Sequence, residues 1–232
     1  MNTLPDAVLA ELSSLAGPVV PIDLNSDLVC RLDFTAQNTL LSDYNLENTV
    51  SFDALIEQML QQKNARVGIG GYLENRVIYR RSRLFDQTNT NRSIHLGVDI
   101  WAEAGTPVLA PLAATVHSFQ DNAQFGDYGP TIILEHQLPD FKFFTLYGHL
   151  SRSSLHDLHV GKIFNKGEQV GFIGDFPENG DWPPHLHFQL ITDMMSQTGD
   201  FPGVCSPNEK TMYAQLCPDP NLLLQCRHLT AF

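Results

Sequence analysis

The sequence predicts a mainly β fold of the α+β class, antiparallel sheets preceded by N-terminal helices. Three observations predict it. From Val67 to Thr192, short runs of β-forming residues alternate with Gly and Pro, and helical periodicity is scarce. Before Val67, two segments carry apolar residues at helical spacing. The chain has 232 residues, 43% of them hydrophobic, enough for one well-cored domain with extensions.

In chain order, residues 5–16 read as a helix. Pro5 lies near the start, Gly17 and Pro18 end it, and Val8, Leu12 and Leu15 share a face. Residues 52–62 read as a second helix, with Phe52, Leu55, Ile56, Met59 and Leu60 forming one apolar packing stripe. The β-rich runs are 76–84, 107–119, 131–136, 141–148, 169–173 and 186–192, and 160–174 reads as turn–strand–turn. The tail is rich in Pro, Asp and Asn and carries the apolar Leu222, Leu223 and Leu224. The organisation expected is a helical extension over 1–66 packing on the core, a β domain over 67–200, and a tail over 201–232 that also packs on the core.

Fourteen Lys and Arg stand against 26 Asp and Glu, a net charge of −12. That balance argues against a nucleic-acid phosphate binder and against adsorption to anionic membranes. No apolar run approaches the ~20 residues of a membrane span. Asp6 and Glu11 interrupt the N-terminal apolar stretch, and no Lys or Arg precedes them. No signal peptide is therefore read, and a cytoplasmic location is the expectation. Cys30, Cys205, Cys217 and Cys226 form no C-x-x-C pair and read as reduced thiols.

Chemistry concentrates in the histidines. His185 and His187 form H-x-H. In a strand they share a face about 6.5–7 Å apart, so both can lean over one small site. One could ligate a metal while the other meets a metal-bound water, or both could ligate. His95 and Asp99 form H-x-x-x-D. In a straight strand they would lie about 13 Å apart, so sharing one ion requires a bend between them, which Gly97 permits. Two imidazoles and one carboxylate suit Zn²⁺ with a fourth position left to water. The other half of H-x-H and His149, at a strand end, become candidates for proton transfer or oxyanion stabilisation. His117, His136, His156, His159 and His228 read as surface or hydrogen-bonded residues, although His136 closes a strand run that could face the same groove.

Five of the 14 basic residues, Arg76, Arg80, Arg81, Arg83 and Arg92, fall close together. They read either as a clamp for a substrate carboxylate or phosphate or as the solvent face of a strand.

The pieces His95-Leu-Gly-Val-Asp99, Ala104-Gly-Thr-Pro-Val108, Tyr147-Gly-His-Leu-Ser151 and His185-Leu-His-Phe188, in this order over roughly residues 92–192, resemble the lysostaphin-type (LytM-like) zinc metallopeptidases. The resemblance implies a small β fold with an open groove and Zn²⁺ at its floor. It implies His95, Asp99 and His187 as metal ligands and His149 and His185 as catalytic histidines. It also implies hydrolysis of a peptide bond in a peptide or peptidoglycan-like substrate. Two departures stand out. The loop before H-x-H, 175–184, contains Asp181 and Trp182 in place of a Ser-Thr-Gly-like loop, and is expected to wall the groove. Gln189 replaces the acidic residue often found after H-x-H-F. A narrower similarity, in 128–136, 177–189 and 199–203, is to a variant branch fused between a kinase-like phosphotransferase and a class III aminotransferase. That similarity is compatible with a cytosolic amide or small-peptide substrate and with functional association with kinase-like and aminotransferase proteins. The rival class is a non-catalytic binding or regulatory module that keeps its metal site for structure.

Overall fold

The computed structural model describes residues 12–85, 91–139 and 141–229. Most of the helix expected over 5–16 lies outside the described residues; within them, residues 12–15 are helical. The second helix, α1, runs Thr49–Gln62, starting three residues before the predicted stripe. Asn48 caps it, its side chain accepting from Ser51 N at 2.9 Å, which satisfies an end amide. Phe52, Leu55, Ile56 and Met59 are buried and Leu60 packs against them, so the periodic stripe is the packed face.

One eight-stranded sheet organises the molecule. Its strands are β1 (Val29–Leu32), β2 (Val67–Gly70), β4 (Val98–Trp101), β6 (Ala114–Asn122), β7 (Gly129–Gln137), β8 (Lys142–Gly148), β9 (Ile163–Phe164) and β11 (Leu186–Ile191), in the order β1-β2-β4-β11-β8-β7-β6-β9. Two small sheets pair β5 (Pro107–Leu109) with β10 (Gln169–Phe172) and β3 (Ile94–His95) with β12 (Val204–Cys205). All pairings are antiparallel except β1 with β2.

Sequence periodicity does not predict β1, which makes the N-terminal extension part of the sheet. Its four residues are too few to show a period. The run 107–119 is two strands, because Pro111 cannot donate to a ladder. The run 76–84 forms no strand. It folds as two 3₁₀ turns, Ile78–Arg81 and Arg83–Phe85, because its arginines are drawn into buried ion pairs and aromatic contacts. The tail beyond β12 forms the short helices α2 (Lys210–Leu216) and α3 (Asn221–Leu224), which bury Leu216, Leu223 and Leu224. Cys30, Cys205, Cys217 and Cys226 are free thiols. Among the described residues, no helix is long and apolar enough to cross a membrane.

The central strands β4, β11 and β8 divide their side chains between two faces. Leu186, Phe188 and Leu190 of β11, with Val98 and Ile100 of β4, enter the main core. The alternating set, His187 and Gln189 with Asp99, turns to the other face. The register places His187 opposite Asp99 on one side and Gly148 on the other.

Candidate active site

His95, Asp99 and His187 converge. His95 Nε2 lies 3.0 Å from His187 Nδ1 and 3.2 Å from Asp99 Oδ1, and His187 Nδ1 lies 3.1 Å from that same oxygen. The bend that joins His95 to Asp99 falls between β3 and β4, at Leu96 and Gly97. Gly97 also makes room. A Cβ there would lie 2.6 Å from His187 Cε1 and 2.7 Å from the Phe188 carbonyl oxygen.

Each histidine has one ring nitrogen committed to an acceptor. His95 Nδ1 donates to Gly71 O at 3.0 Å, His149 Nδ1 to Asn179 O at 2.8 Å, and His185 Nδ1 to Pro183 O at 2.8 Å. His187 Nε2 donates to Gln189 Oε1 at 2.9 Å. The Gln189 amide orientation is fixed in turn, since its Nε2 donates to Pro202 O and Cys217 Sγ. The proton on each ring is thereby placed, and the other nitrogen keeps its lone pair. His95 Nε2, His187 Nδ1 and Asp99 Oδ1 are then three acceptors about 3 Å apart with no proton between them. This repels unless a cation lies among them. Ligand atoms about 2.0–2.1 Å from one tetrahedral ion are about 3.3 Å apart, close to the observed spacing.

Burial keeps the rings of His95, His149 and His185 neutral. It pushes His95 down to about 3, with the Arg76 charge adding to the effect, and His185 down to about 4. Burial and the neighbouring His185 hold His149 well below the ordinary histidine range. Burial alone would raise the Asp99 carboxyl, but His95 and Arg76 together hold it well below the usual carboxylate range. Neutral rings at His95, His149 and His185 and an ionised Asp99 are protonation states that suit a metal site.

Arg76 supports the cluster from beneath. It is 2% exposed, hydrogen-bonds Asp99 Oδ2 through Nη1, and reaches Glu74 Oε2 through Nε at 2.9 Å. With Oδ2 held, Oδ1 is the oxygen presented to the two histidines. Neither sequence reading of the arginines anticipates this, because a salt bridge across 23 residues has no local signature. Arg81 is likewise buried, and Arg92 donates to Leu84 O and lies over Phe85. The solvent face of a strand is therefore not what this cluster forms. Gln189 could have been found from the strand period, standing two residues past His187 on the same face.

His149 and His185 stand beside the triad, their ring centroids 4.2 Å apart, with His149 6.3 Å from His187. Trp101 stacks on His185 at 4.0 Å and 17°, fixing its plane. His149 has a left-handed backbone, φ 61°, a strained conformation of the kind found at functional sites. Its amide donates to Tyr128 O at 2.7 Å. Trp182 walls the site as expected, 5.9 Å from His149, and its Nε1 donates to Asp127 O. Asp181 does not line the cavity; its carbonyl oxygen accepts from Arg81. His136 is not part of the site. It is buried between Ala113 O and Thr145 Oγ1 and stacks on Phe143.

Asp99, His149, His185 and His187 line a cavity of about 170 Å³, together with Ile78, Tyr79, Leu84 and Phe85 from the segment that sequence reading takes for a strand.

The family model for peptidase family M23 matches residues 93–198. A Haemophilus influenzae protein described as an uncharacterized metalloprotease is 31% identical over 121 residues, covering 49% of this chain and 23% of that protein. The chain thus spans about a quarter of the curated relative it matches. Among solved structures, a putative peptidase M23 from Pseudomonas aeruginosa is 22% identical with a TM-score of 0.38, covering 56% of this chain and 43% of the other. The catalytic domain of the antimicrobial peptidase lysostaphin from Staphylococcus simulans is 26% identical with a TM-score of 0.37, covering 50% and 77%. These relatives give no support to the association with kinase-like and aminotransferase proteins that the narrower resemblance implies. The region that the family model for peptidase family M23 matches, residues 93–198, contains every residue of the histidine and aspartate cluster.

Proposed function

We propose that this chain is a zinc-dependent hydrolase of peptide (amide) bonds, with His95 Nε2, Asp99 Oδ1 and His187 Nδ1 as the metal ligands. One observation carries the reading. Two imidazole lone pairs and a carboxylate oxygen face one another at 3.0–3.2 Å, and their protons are committed elsewhere. An N₂O set with room beyond it suits Zn²⁺ in a catalytic arrangement. When bound, the ion supplies Lewis-acid polarisation of the scissile carbonyl and a more acidic water.

The chain's own residues do the rest. His149 and His185 are neutral, with Nδ1 of each donating to a carbonyl, so Nε2 of each is free to accept a proton. One takes the proton of the attacking water and returns it to the leaving nitrogen, while Nε2 of the other accepts a hydrogen bond from that water and orients it. Arg76 and Gln189 act through the ligands they hold. The apolar walls formed by Tyr79, Phe85, Trp182 and Phe201 limit water at the bond being broken.

Elemental analysis of the purified protein and of His187→Ala tests the metal. About one zinc per chain, lost in the variant, is expected. His149→Ala should keep the metal and lose turnover of a peptide substrate by about 10²–10⁴-fold. Full activity in His149→Ala would overturn the assignment, and so would a folded wild-type protein that takes up no zinc.

A further inference from the structure

Resting on the hydrolase reading, we propose that the site accepts the end of a short peptide or small amide and excludes a chain running through it, with segment 78–85 as the device that sets the limit. The segment is fastened on both sides of the site. Before it, Arg76 is held by Asp99 and Glu74, and Val77 N donates to Phe34 O at 3.0 Å. Farther along, Arg81 Nη2 donates to Thr49 Oγ1 at 2.9 Å and to Asp181 O at 3.0 Å, and its guanidinium lies 4.6 Å from the centre of the Trp182 ring. Ser82 Oγ donates to Phe125 O at 2.8 Å, and Ser82 packs so closely that a Cβ on Gly126 would lie 2.6 Å from it. The returning chain is tied again by Arg92, whose side chain donates to Leu84 O and whose amide donates to Phe85 O.

The strap so held leaves little room. His95, Asp99, His149, His185 and His187 are each no more than 6% exposed. The cavity of about 170 Å³ above them is comparable to the ~150 Å³ space that holds one benzene. That volume takes one large side chain or a chain end. A polymer threaded past the metal ligands needs a path open on both sides, and Tyr79 and Phe85 of the strap, 4.7 Å apart and both buried, fill one wall of the cavity. The length limit is therefore a property of the strap and not of the metal site.

The test uses the zinc-loaded full chain, alanine peptides from dipeptide to octapeptide with free or blocked ends, and insoluble murein sacculi. Cleavage is read by mass spectrometry. Binding of the same peptides to zinc-loaded His149→Ala is read by calorimetry. Cleavage confined to bonds near a free end is expected, with kcat/KM at least about ten-fold lower for end-blocked octapeptide and with intact sacculi. Arg81→Ala, and separately Ser82→Ala should the first fail to fold, should raise cleavage of the long blocked peptide relative to the short one several-fold. Internal cleavage of octapeptide or sacculi by the wild type at the short-peptide rate overturns the length limit and leaves the hydrolase reading standing. If nothing is cleaved, the hydrolase reading falls, and calorimetry decides the limit alone. Tighter binding of short, free-ended peptides supports it, and equal binding of every length overturns it.

Discussion

Arg76→Met is the sharpest perturbation of this molecule. Methionine keeps most of the volume and removes the charge. Arg76 is 2% exposed, and it joins Asp99, 2% exposed, to Glu74, 7% exposed. Removing one partner of a buried ion pair costs about 3–5 kcal/mol, because the charge left behind keeps its desolvation penalty and loses its compensation. Here two carboxylates are left. For a chain of this size each kcal/mol moves the melting temperature by about 2–4 °C, so the metal-free variant should melt roughly 6–20 °C below the wild type. Zinc should recover much of that loss, because a cation at Asp99 Oδ1 compensates the carboxylate that Arg76 had compensated at Oδ2. The assay is calorimetric unfolding of both proteins at neutral pH, with chelator and with excess zinc. Adding Glu74→Gln should restore part of the stability by removing the second stranded charge. A metal-free Arg76→Met protein melting within about 2 °C of the wild type would refute the argument that this arginine is the counter-charge of the buried site.

Three further predictions follow from neighbouring contacts. Gln189→Leu removes the acceptor for His187 Nε2 and should weaken zinc binding about 10–100-fold in a competition titration with a chelator, whereas Gln189→Glu, which keeps an acceptor there, should not weaken it. Gly97→Ala puts a Cβ against the His187 ring and the Phe188 carbonyl, neither of which can retreat without disturbing β11, so metal content and melting temperature should fall together. Asp127 is pushed by burial from its ordinary 3.8 up to about 6, so the folded protein holds that proton more tightly than the unfolded chain and stability falls as pH rises through 4 to 6. Asp127→Asn, discounted for the group's partial exposure, should therefore gain about 1–2 kcal/mol over the wild type in urea unfolding at pH 7.5 and almost nothing at pH 4.

The local parts of the fold and site are legible in the residues alone. Alternation in 186–191 set which side chains share the face of His187. Apolar spacing in 52–60 set the buried stripe of α1. The spacing of His95 and Asp99 demanded a bend, and Gly97 marked where. Motif order alone placed His95, Asp99, His149, His185 and His187 in one family pattern. How that pattern is supported depends on contacts between residues far apart in the chain. Arg76 lies 23 residues from Asp99, and Thr49 lies 132 from Asp181, so neither contact leaves a trace in any sequence window. The run 76–84 carries β-forming residues, yet burying Arg76 and Arg81 against carboxylates, carbonyls and aromatic rings outweighs a propensity that spans only ~1 kcal/mol per residue. That segment lines the cavity beside the histidines, and its course is set by partners far away in the chain.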